Sequence, residues 1–347
     1  MITIDNNFLN VLFEKQYISD KNLNLLLKSN TYNKTLFKLA DCKRKEYYSN
    51  FIYIRGLIEF TNYCKNDCFY CGIRKSNTML TRYRLTENDI LRCCEKGYKL
   101  GLKTFVLQGG EDVFFTDDVI CDIICKIRKN FKDCVITLSI GERPKESYEK
   151  LFKAGARRYL LRQETADINH YKKLHPLNMS LENRKKCLLN LKEIGFSVGA
   201  GFLVGSPFQT LENIIGDLKF LQKLKPDMIG IGPFISQKNT PFANFKGGSI
   251  DLTLKLLAIL RLMFPHALMP ATTALFSINA NILKKALSVG TNVLMTNITP
   301  KKYQNFYTIY DDKYKRKEKT LKNLKKNIYL AGYKFKVSKG NVNNIKL

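Results

Sequence analysis

The chain alternates short apolar runs with longer stretches in which apolar residues recur every three or four positions. Runs rich in valine, isoleucine and phenylalanine predict buried β-strands, and the helical period predicts amphipathic helices. Strands are predicted at Ile52–Phe60, Thr104–Gln108, Val135–Ser139, Arg158–Arg162, Ser197–Val204, Met228–Pro233, Ala267–Ala271 and Asn292–Met295. Helices are predicted at Glu87–Gly101, Asp117–Phe131, Lys145–Ala154, Leu181–Gly195, Thr210–Leu224, Leu252–Met263 and Asn279–Ser288.

The spacing of these elements predicts their architecture. Successive strands begin roughly 30 residues apart, which is the length of one strand–helix unit. Several predicted helices end at a glycine, as at Gly155 and Gly195, and glycine is the residue that most often terminates a helix. Eight units predict an α/β fold of the (β/α)8 TIM-barrel type. The alternative is an open partial barrel of six strands, with the last two strands outside it.

Three parts are predicted along the 347 residues: an N-terminal helical cap at 1–50, the barrel at 51–300, and a basic C-terminal helical extension packed on the barrel at 301–347. No apolar run reaches the ~20 residues that cross a membrane, and we expect no signal peptide at the N-terminus. The ten cysteines do not resemble a secreted disulfide framework. We therefore expect a cytoplasmic, monomeric protein in a reducing, anaerobic environment.

The net charge of +28 arises from 58 lysines and arginines against 30 acidic residues. The densest basic run, Lys313–Lys326, has two interpretations: a nucleic-acid surface or the solvated face of a helix. Leu321, Leu324 and Ile328 recur within and after it at helical spacing, and the run lacks the interleaved aromatic residues of a single-strand groove. The solvated face is therefore favoured, and we do not expect nucleic acid as a partner. A basic surface also suits the docking of an acidic electron carrier.

Three closely spaced cysteines carry the strongest chemical signal. Cys64, Cys68 and Cys71 follow the first predicted strand with the spacing C-x3-C-x2-C, and the aromatic Tyr70 directly precedes the last of them. Thiolates spaced in this way on one loop can hold three corners of an iron–sulfur cubane. No fourth ligand is nearby in the sequence, so one iron would stay open to a small molecule. The alternatives are a zinc knuckle, which needs four ligands, and a disulfide with one free thiol.

This cysteine loop resembles the signature of the radical S-adenosylmethionine (radical SAM) superfamily. Gly109, Gly110 and Glu111, one strand–helix unit later, resemble the motif that receives the SAM amino group in that superfamily. The resemblance implies a [4Fe–4S] cluster whose open iron is chelated by SAM, and reductive cleavage of SAM to a 5′-deoxyadenosyl radical. The implied cofactor-binding residues are Tyr70, Gln108, Gly109, Gly110, Glu111, Arg162, Glu164, Arg184 and Leu203. Of these, Glu164 is expected at the SAM ribose and Arg184 at the SAM carboxylate, although Arg162 and Glu164 could instead form a structural salt bridge.

A further set of segments resembles the family of the [FeFe]-hydrogenase maturase HydE. The segments are residues 82–85, 107–112, 137–142, 158–166, 230–235 and 270–274. The resemblance implies a closed barrel with a substrate cavity lined by Thr272, Thr273 and Tyr303, and a small organometallic or cysteine-derived substrate. It also implies other hydrogenase maturases as partners and flavodoxin or ferredoxin as electron donor. Thr272 and Thr273 could equally be buried hydroxyls that bond to the backbone.

Some features depart from the family or favour other functions. The sequence has no cysteine after Cys187, so we expect no second cluster of the C-terminal kind that some members hold. Methylornithine synthase, a radical SAM mutase, shares the cysteine loop and the Arg-Tyr-Arg segment. Biotin synthase needs further cysteines on barrel strands, where this chain has Val135 and Gly199, and Cys134 is one residue out of phase. A nucleic-acid-binding protein with a structural metal is the non-enzyme alternative. Gly230 and Gly232 are expected to leave room for a bulky substrate at the cavity.

Overall fold

The structure is a computed structural model that describes residues 7–278, 282–311, 313 and 321–341. Its helices are α1 Asn7–Lys15, α2 Asp20–Lys28, α3 Asn33–Tyr48, α4 Glu87–Lys99, α5 Asp117–Asn130, α6 Lys145–Ala154, α7 Ile168–Leu174, α8 Leu181–Ile194, α9 Leu211–Leu224, α10 Ile250–Met263, α11 Thr273–Ile278, α12 Ile282–Ser288, α13 Lys301–Gln304 and α14 Leu321–Leu330. Its strands are β1 Phe51–Thr61, β2 Thr104–Gly109, β3 Val135–Ser139, β4 Arg158–Leu160, β5 Ser197–Ala200, β6 Leu203–Val204, β7 Met228–Ile229, β8 Gly232–Pro233, β9 Val293–Asn297 and β10 Lys334–Lys336. The start of the helix predicted at 279–288, and residues 314–320 of the basic run, lie outside the described residues.

Parallel pairing closes the sheet into a barrel. β1 pairs with β2 on one side and with β9 on the other, and β2, β3, β4, β5 and β7 pair in that order. The isolated bridges Met228–Leu268 and Pro270–Val293 join β7 to β9 through residues 268–270. The predicted (β/α)8 barrel is therefore confirmed, and the structure does not support the open six-stranded alternative.

The first four strands match their predicted bounds within two residues, whereas the later ones are shorter. The predicted fifth and sixth strands are each divided in two, so that β6 and β8 pair separately from β5 and β7. The break follows from Gly201, whose φ of 155° and close approach to the Gly230 carbonyl leave no room for a side chain. Its N–H donates to the side-chain oxygen of Gln163 at 2.9 Å instead of extending the ladder. The segment predicted as the seventh strand contributes only the two bridges.

The N-terminal helices cover an unusually apolar helix of the barrel. Every residue from Thr253 to Met263 of α10 is buried, because α1 and α3 pack against its outer side. A helix that is apolar all round needs such a second layer. The ammonium of Lys255 joins the layers, since it donates to the Ser29 carbonyl at 2.9 Å and to the Asn30 side chain at 3.0 Å.

The C-terminal part also contacts the barrel. β10 pairs in parallel with the first residues of β1, where Phe51 aligns with Lys334. Three apolar residues of α14, Leu321, Leu324 and Ile328, are buried, and α14 packs against α12. The division of the chain into cap, barrel and extension at residues 50 and 300 remains a prediction. In the described part of the chain, no helix has the length and apolar character that crossing a membrane requires.

Candidate active site

The cysteine loop leaves the carboxyl end of β1 and is held in place by its own polar residues. The Asp67 carboxylate accepts hydrogen bonds from the Arg74 guanidinium at 2.6 Å and from the Ser76 hydroxyl at 2.6 Å. The bonds from Arg74 hold the pKa of Asp67 well below its usual range. Arg82 donates to the backbone carbonyls of Ile73 at 2.9 Å and Arg74 at 2.5 Å. These contacts fix the conformation of the loop that carries the three cysteines.

Backbone N–H groups point at the cysteine sulfurs. The Glu111 nitrogen lies 3.4 Å from the Sγ of Cys64, the Asn66 N–H also donates to Cys64, and the Ile73 N–H donates to Cys71. Such bonds favour an anionic sulfur, and they are among the contacts that tune iron–sulfur clusters. Burial, followed by the nearby Cys64 sulfur, raises the pKa of Cys71 to about 12. A thiolate at this position therefore requires a bound metal.

The donor set suits a cluster spread over the loop. No three histidine, cysteine, aspartate or glutamate side chains in the described ranges converge closely enough to hold one metal ion. A cubane does not need such convergence, because each thiolate binds a different iron atom. Three thiols at the wall of a cavity, two of which accept N–H bonds, fit this group.

The glycine motif after β2 brings that strand against the cysteine loop. A Cβ on Gly110 would overlap the Tyr63 carbonyl and lie 2.7 Å from the Cβ of Cys64. The Glu111 carboxylate accepts the N–H of Glu142 at 3.0 Å and forms an ion pair with Lys65 at 3.3 Å. The motif therefore shapes the cysteine loop as well as the cavity.

Arg162 and Glu164 at the end of β4 form a buried ion pair. Their Nη2 and Oε2 atoms are 3.1 Å apart, in a geometry that makes no hydrogen bond. Glu164 has a φ of 65°, a conformation that costs a non-glycine residue energy and that recurs at ligand sites. Burial raises the pKa of its carboxyl group. Since buried polar atoms almost always have a partner, these atoms favour a polar ligand in the adjacent cavity.

Arg184, in the first turn of α8, is held in place by two neighbouring residues. It forms an ion pair with Glu142 and donates to the Arg162 carbonyl at 2.7 Å. The Glu142 carboxylate also accepts the side-chain amide of Asn183 at 2.6 Å. Arg184 thus lies at the cavity, as predicted, but with a carboxylate partner that the sequence reasoning did not assign to it.

The hydroxyl of Tyr70 is bonded to a histidine that the sequence did not single out. His175 Nδ1 lies 3.1 Å from the Tyr171 carbonyl, so Nδ1 carries the proton and Nε2 accepts from the Tyr70 hydroxyl at 3.0 Å. Burial, followed by the charge of Arg184, lowers the pKa of His175 to about 3. The imidazole is therefore neutral and orients the Tyr70 ring beside the cysteines.

One cavity of about 320 Å³ joins these groups, within the usual size range of ligand sites. All predicted cluster and SAM-contact residues line it. Thr272 and Thr273 line it as well, at the carboxyl end of the seventh unit. The Thr273 hydroxyl lies 2.7 Å from the Tyr310 hydroxyl, whereas the buried Thr272 Oγ1 has no hydrogen-bond partner within the described ranges.

Comparison with known proteins gives the family. A model of the radical SAM superfamily matches residues 58–221. The [FeFe]-hydrogenase maturase subunit HydE of Thermotoga maritima is 46% identical over 282 residues, which cover 81% of this chain and 80% of HydE. The chain belongs to the radical SAM superfamily, within the HydE family.

Two further relatives support the fold. The 3-methylornithine synthase of Methanosarcina acetivorans is 31% identical over 293 residues, 83% of this chain and 82% of that protein. A crystal structure of methylornithine synthase has a TM-score of 0.85 at 26% identity, covering 94% of this chain and 96% of that one. A crystal structure of the hydrogenase maturase HydG matches with a TM-score of 0.82 at 23% identity, covering 96% of this chain and 77% of HydG. At that identity the match supports the fold alone.

One predicted residue of this radical SAM enzyme lies away from the cavity. Tyr303 is not among the lining residues, and its ring stacks on Tyr83 with centroids 4.9 Å apart. Tyr307 and Tyr310 line the cavity instead. Tyr303 lies within α13, which ends at Gln304, and both lining tyrosines follow that helix in the chain.

The cavity of this radical SAM enzyme also contains a buried ion pair that sequence reasoning missed. Lys313 pairs with Glu59 of β1, and the two side chains are 3% and 0% exposed. The Asn297 amide donates to Glu59 at 2.8 Å, and Lys313 donates to the Tyr307 carbonyl at 3.1 Å. A glutamate inside an apolar strand is the only sequence signal for this pair, and its partner is 254 residues away.

Proposed function

We propose that this chain holds one [4Fe–4S] cluster through Cys64, Cys68 and Cys71 and uses it to cleave SAM reductively. When bound, the cluster supplies the single electron that divides SAM into methionine and a 5′-deoxyadenosyl radical. The observation that carries the proposal is the set of N–H bonds to the sulfurs of Cys64 and Cys71 at the wall of the cavity. Membership of the radical SAM superfamily supports the same chemistry.

The chain's own residues position SAM. Gly109, Gly110 and Glu111 offer backbone and carboxylate oxygens that suit an amino group. The orphaned atoms of Arg162 and Glu164 suit ribose hydroxyls. Arg184 lines the cavity with its charge fixed by Glu142, so we assign it to the SAM carboxylate as a preorganised donor. Gln108, Leu203 and the Tyr70 ring complete the proposed cofactor wall.

We further propose a role in maturation of the [FeFe]-hydrogenase active site. The support is the 46% identity to HydE over four fifths of both chains. A small organometallic or cysteine-derived substrate would occupy the part of the cavity near Thr272 and Thr273, and the other hydrogenase maturases would supply or receive it. A cytoplasmic monomer reduced by flavodoxin or ferredoxin completes the proposal.

A radical SAM mutase of the methylornithine synthase type is the second candidate. The TM-score of 0.85 over almost the whole of both chains favours it. The cavity segments 230–235 and 270–274 favour the maturase. A sulfur-inserting enzyme of the biotin synthase type is weaker, because Cys134 bonds to the Leu102 carbonyl at 3.8 Å and does not line the cavity.

Anaerobic reconstitution tests the cluster and its open iron. We expect about four iron atoms per chain, an EPR spectrum that changes when SAM is added, and release of 5′-deoxyadenosine on reduction. Cys68→Ala should lose all three, whereas Cys125→Ala, an exposed cysteine on α5, should lose none. Zinc in place of iron, or a spectrum indifferent to SAM, would contradict the proposal.

The substrate is tested separately. Deleting the gene should abolish [FeFe]-hydrogenase activity, and the wild-type gene, but not Cys68→Ala, should restore it. Purified enzyme that converts lysine to methylornithine, or normal hydrogenase activity in the deletion strain, would assign the chain to the mutase branch instead.

A further inference from the structure

An exposed turn lies directly outside the sulfur of Cys68. Residues Pro176–Met179 connect α7 to α8, and the turn is closed by the bond from the Met179 N–H to the Pro176 carbonyl at 3.0 Å. The thioether of Met179 is 3.7 Å from the Cys68 sulfur. Leu177, at the tip of the same turn, is 96% exposed. A single turn of chain therefore separates solvent from the proposed cluster on this side.

The turn is held rigidly against the cysteine loop. The Phe69 N–H donates to the Leu174 carbonyl at 3.0 Å, immediately before the turn. His175, the residue between Leu174 and the turn, is hydrogen-bonded to both Tyr70 and Tyr171. Its ring stacks on the Tyr171 ring with centroids 3.9 Å apart. A surface fixed in this way can dock a partner without reordering, which reduces the entropic cost of binding.

We define the Leu177 patch as Leu177 and the exposed residues linked to it through the adjacent end of α7: Lys172, Lys173, Leu177, Phe208 and Phe245. Phe208 and Phe245 are 51% and 39% exposed, with ring centroids 5.4 Å apart. The Lys173 ammonium lies 5.3 Å from the Phe208 ring centroid, on the helix that leads to Leu177. Exposed apolar groups gathered in this way mark interaction sites.

The charge of the patch indicates the partner. Lys172 and Lys173 are both exposed, and no carboxylate in the described ranges forms an ion pair with either. The whole chain carries a net charge of +28. An acidic protein would be attracted to this surface, and its exposed apolar residues would supply further contact.

We propose that the Leu177 patch is the docking site of the acidic one-electron carrier protein that reduces the cluster. The inference rests on the proposed SAM cleavage, because a docking site for an electron carrier requires a redox group close to Cys68. One electron leaves the reduced carrier and enters the cluster, and no proton or group moves in that step. Met179 fills the space between the carrier and the Cys68 sulfur, so water is excluded from the path.

The test compares two reductants on the reconstituted full-length enzyme. SAM cleavage is measured with dithionite, a small molecule that needs no docking site, and with a reduced acidic flavodoxin as the only electron source. The test variants are Leu177→Asp and the double variant K172E/K173E. The matched controls are Leu189→Asp and Lys186→Glu, which change an exposed leucine and an exposed lysine on α8.

We expect the test variants to match the wild type with dithionite. With flavodoxin, their KM for the carrier should rise about tenfold or more, equivalent to about 1.4 kcal/mol, while both controls stay within about twofold. Added salt should raise the wild-type KM and affect K172E/K173E much less, because screening weakens only charges that take part.

Three results would overturn the inference. Equal flavodoxin kinetics in wild type and both test variants would place docking elsewhere. An equal loss with dithionite and flavodoxin would mean that the variants damage the cluster site. Patch-dependent binding of a single-stranded oligonucleotide, with unchanged flavodoxin kinetics, would make the patch a nucleic-acid surface. Failure of the proposed function is distinguishable, since the wild type would then cleave no SAM even with dithionite.

Discussion

Replacing Lys313 by methionine should strongly destabilise the enzyme. The lysine is the charged partner of Glu59, and both side chains are almost completely buried at the cavity wall. In the variant, Glu59 would keep the hydrogen bond from Asn297 at 2.8 Å but lose its ammonium partner. Removing one member of a buried pair typically costs about 3–5 kcal/mol, because the other charge remains without compensation.

Methionine is an unbranched side chain of similar length to lysine, so this substitution leaves no large cavity. The loss therefore reports the Glu59 carboxylate that has lost its ammonium partner, and we expect it to fall within about 3–5 kcal/mol at pH 7.

Urea denaturation of the apoprotein at pH 7 measures this loss. The double variant E59Q/K313M should recover most of the stability at pH 7, because glutamine still accepts from Asn297 and carries no charge. Lys322→Met, which replaces an exposed lysine of α14, should change stability by less than about 0.5 kcal/mol. A loss below about 1 kcal/mol at pH 7 would refute the buried pair.

Two further changes test other parts of the site. Gly110→Ala should prevent cluster assembly, since its methyl group would overlap the Tyr63 carbonyl. The control Gly216→Ala in α9 meets nothing within 4 Å and should bind iron normally. The iron content of each variant after reconstitution measures the difference. Asp217→Asn should raise the melting temperature at pH 7. Burial raises the pKa of the Asp217 carboxyl group, so its charge destabilises the fold at pH 7. Asparagine removes that charge, and its side-chain oxygen still accepts the Ala166 N–H. A raised pKa destabilises the fold only above the unfolded value, so this gain should shrink towards pH 4, and a gain independent of pH would contradict the assignment.

Local signals predicted the barrel well where they were strong. β3 and α6 have their predicted bounds, because a compact apolar run and a terminal glycine mark them without help from distant residues. α7 was missed although Asp167 caps it, since seven residues give little periodicity. The predicted fifth and sixth strands were read as continuous because an apolar run does not reveal that Gly201 must avoid the Gly230 carbonyl.

The candidate site shows the same contrast between residues that local signals indicate and residues that only tertiary contacts bring together. Residues within one loop or at one strand end, such as Cys64 and Glu164, were indicated by their spacing together with the family resemblance, and both line the cavity. Partners from different units were not found, as for Glu142 with Arg184, or His175 with Tyr70. A carboxylate at the end of β3 was a usable signal for Glu142, because carboxyl ends of barrel strands meet at one face. Tyr303 was misplaced because the path of the chain after β9 is set by tertiary contacts.

The glycines at the sixth unit bear on the choice between maturase and mutase, and they do not act alike. A Cβ on Gly232 would lie 2.7 Å from the Thr272 Oγ1, so this glycine makes room for a threonine and not for a substrate. A Cβ on Gly230 would meet only a Leu160 methyl group at 3.9 Å, so the space there belongs to the cavity. Both glycines line the cavity, so the expectation of extra room holds for Gly230, whereas the space at Gly232 is taken up largely by Thr272. What Gly232 permits is a buried hydroxyl that has no partner in the described part of the chain. A bulky substrate with a hydrogen-bonding group on one side fits both features, which favours a polar metal complex over an aliphatic amino-acid side chain.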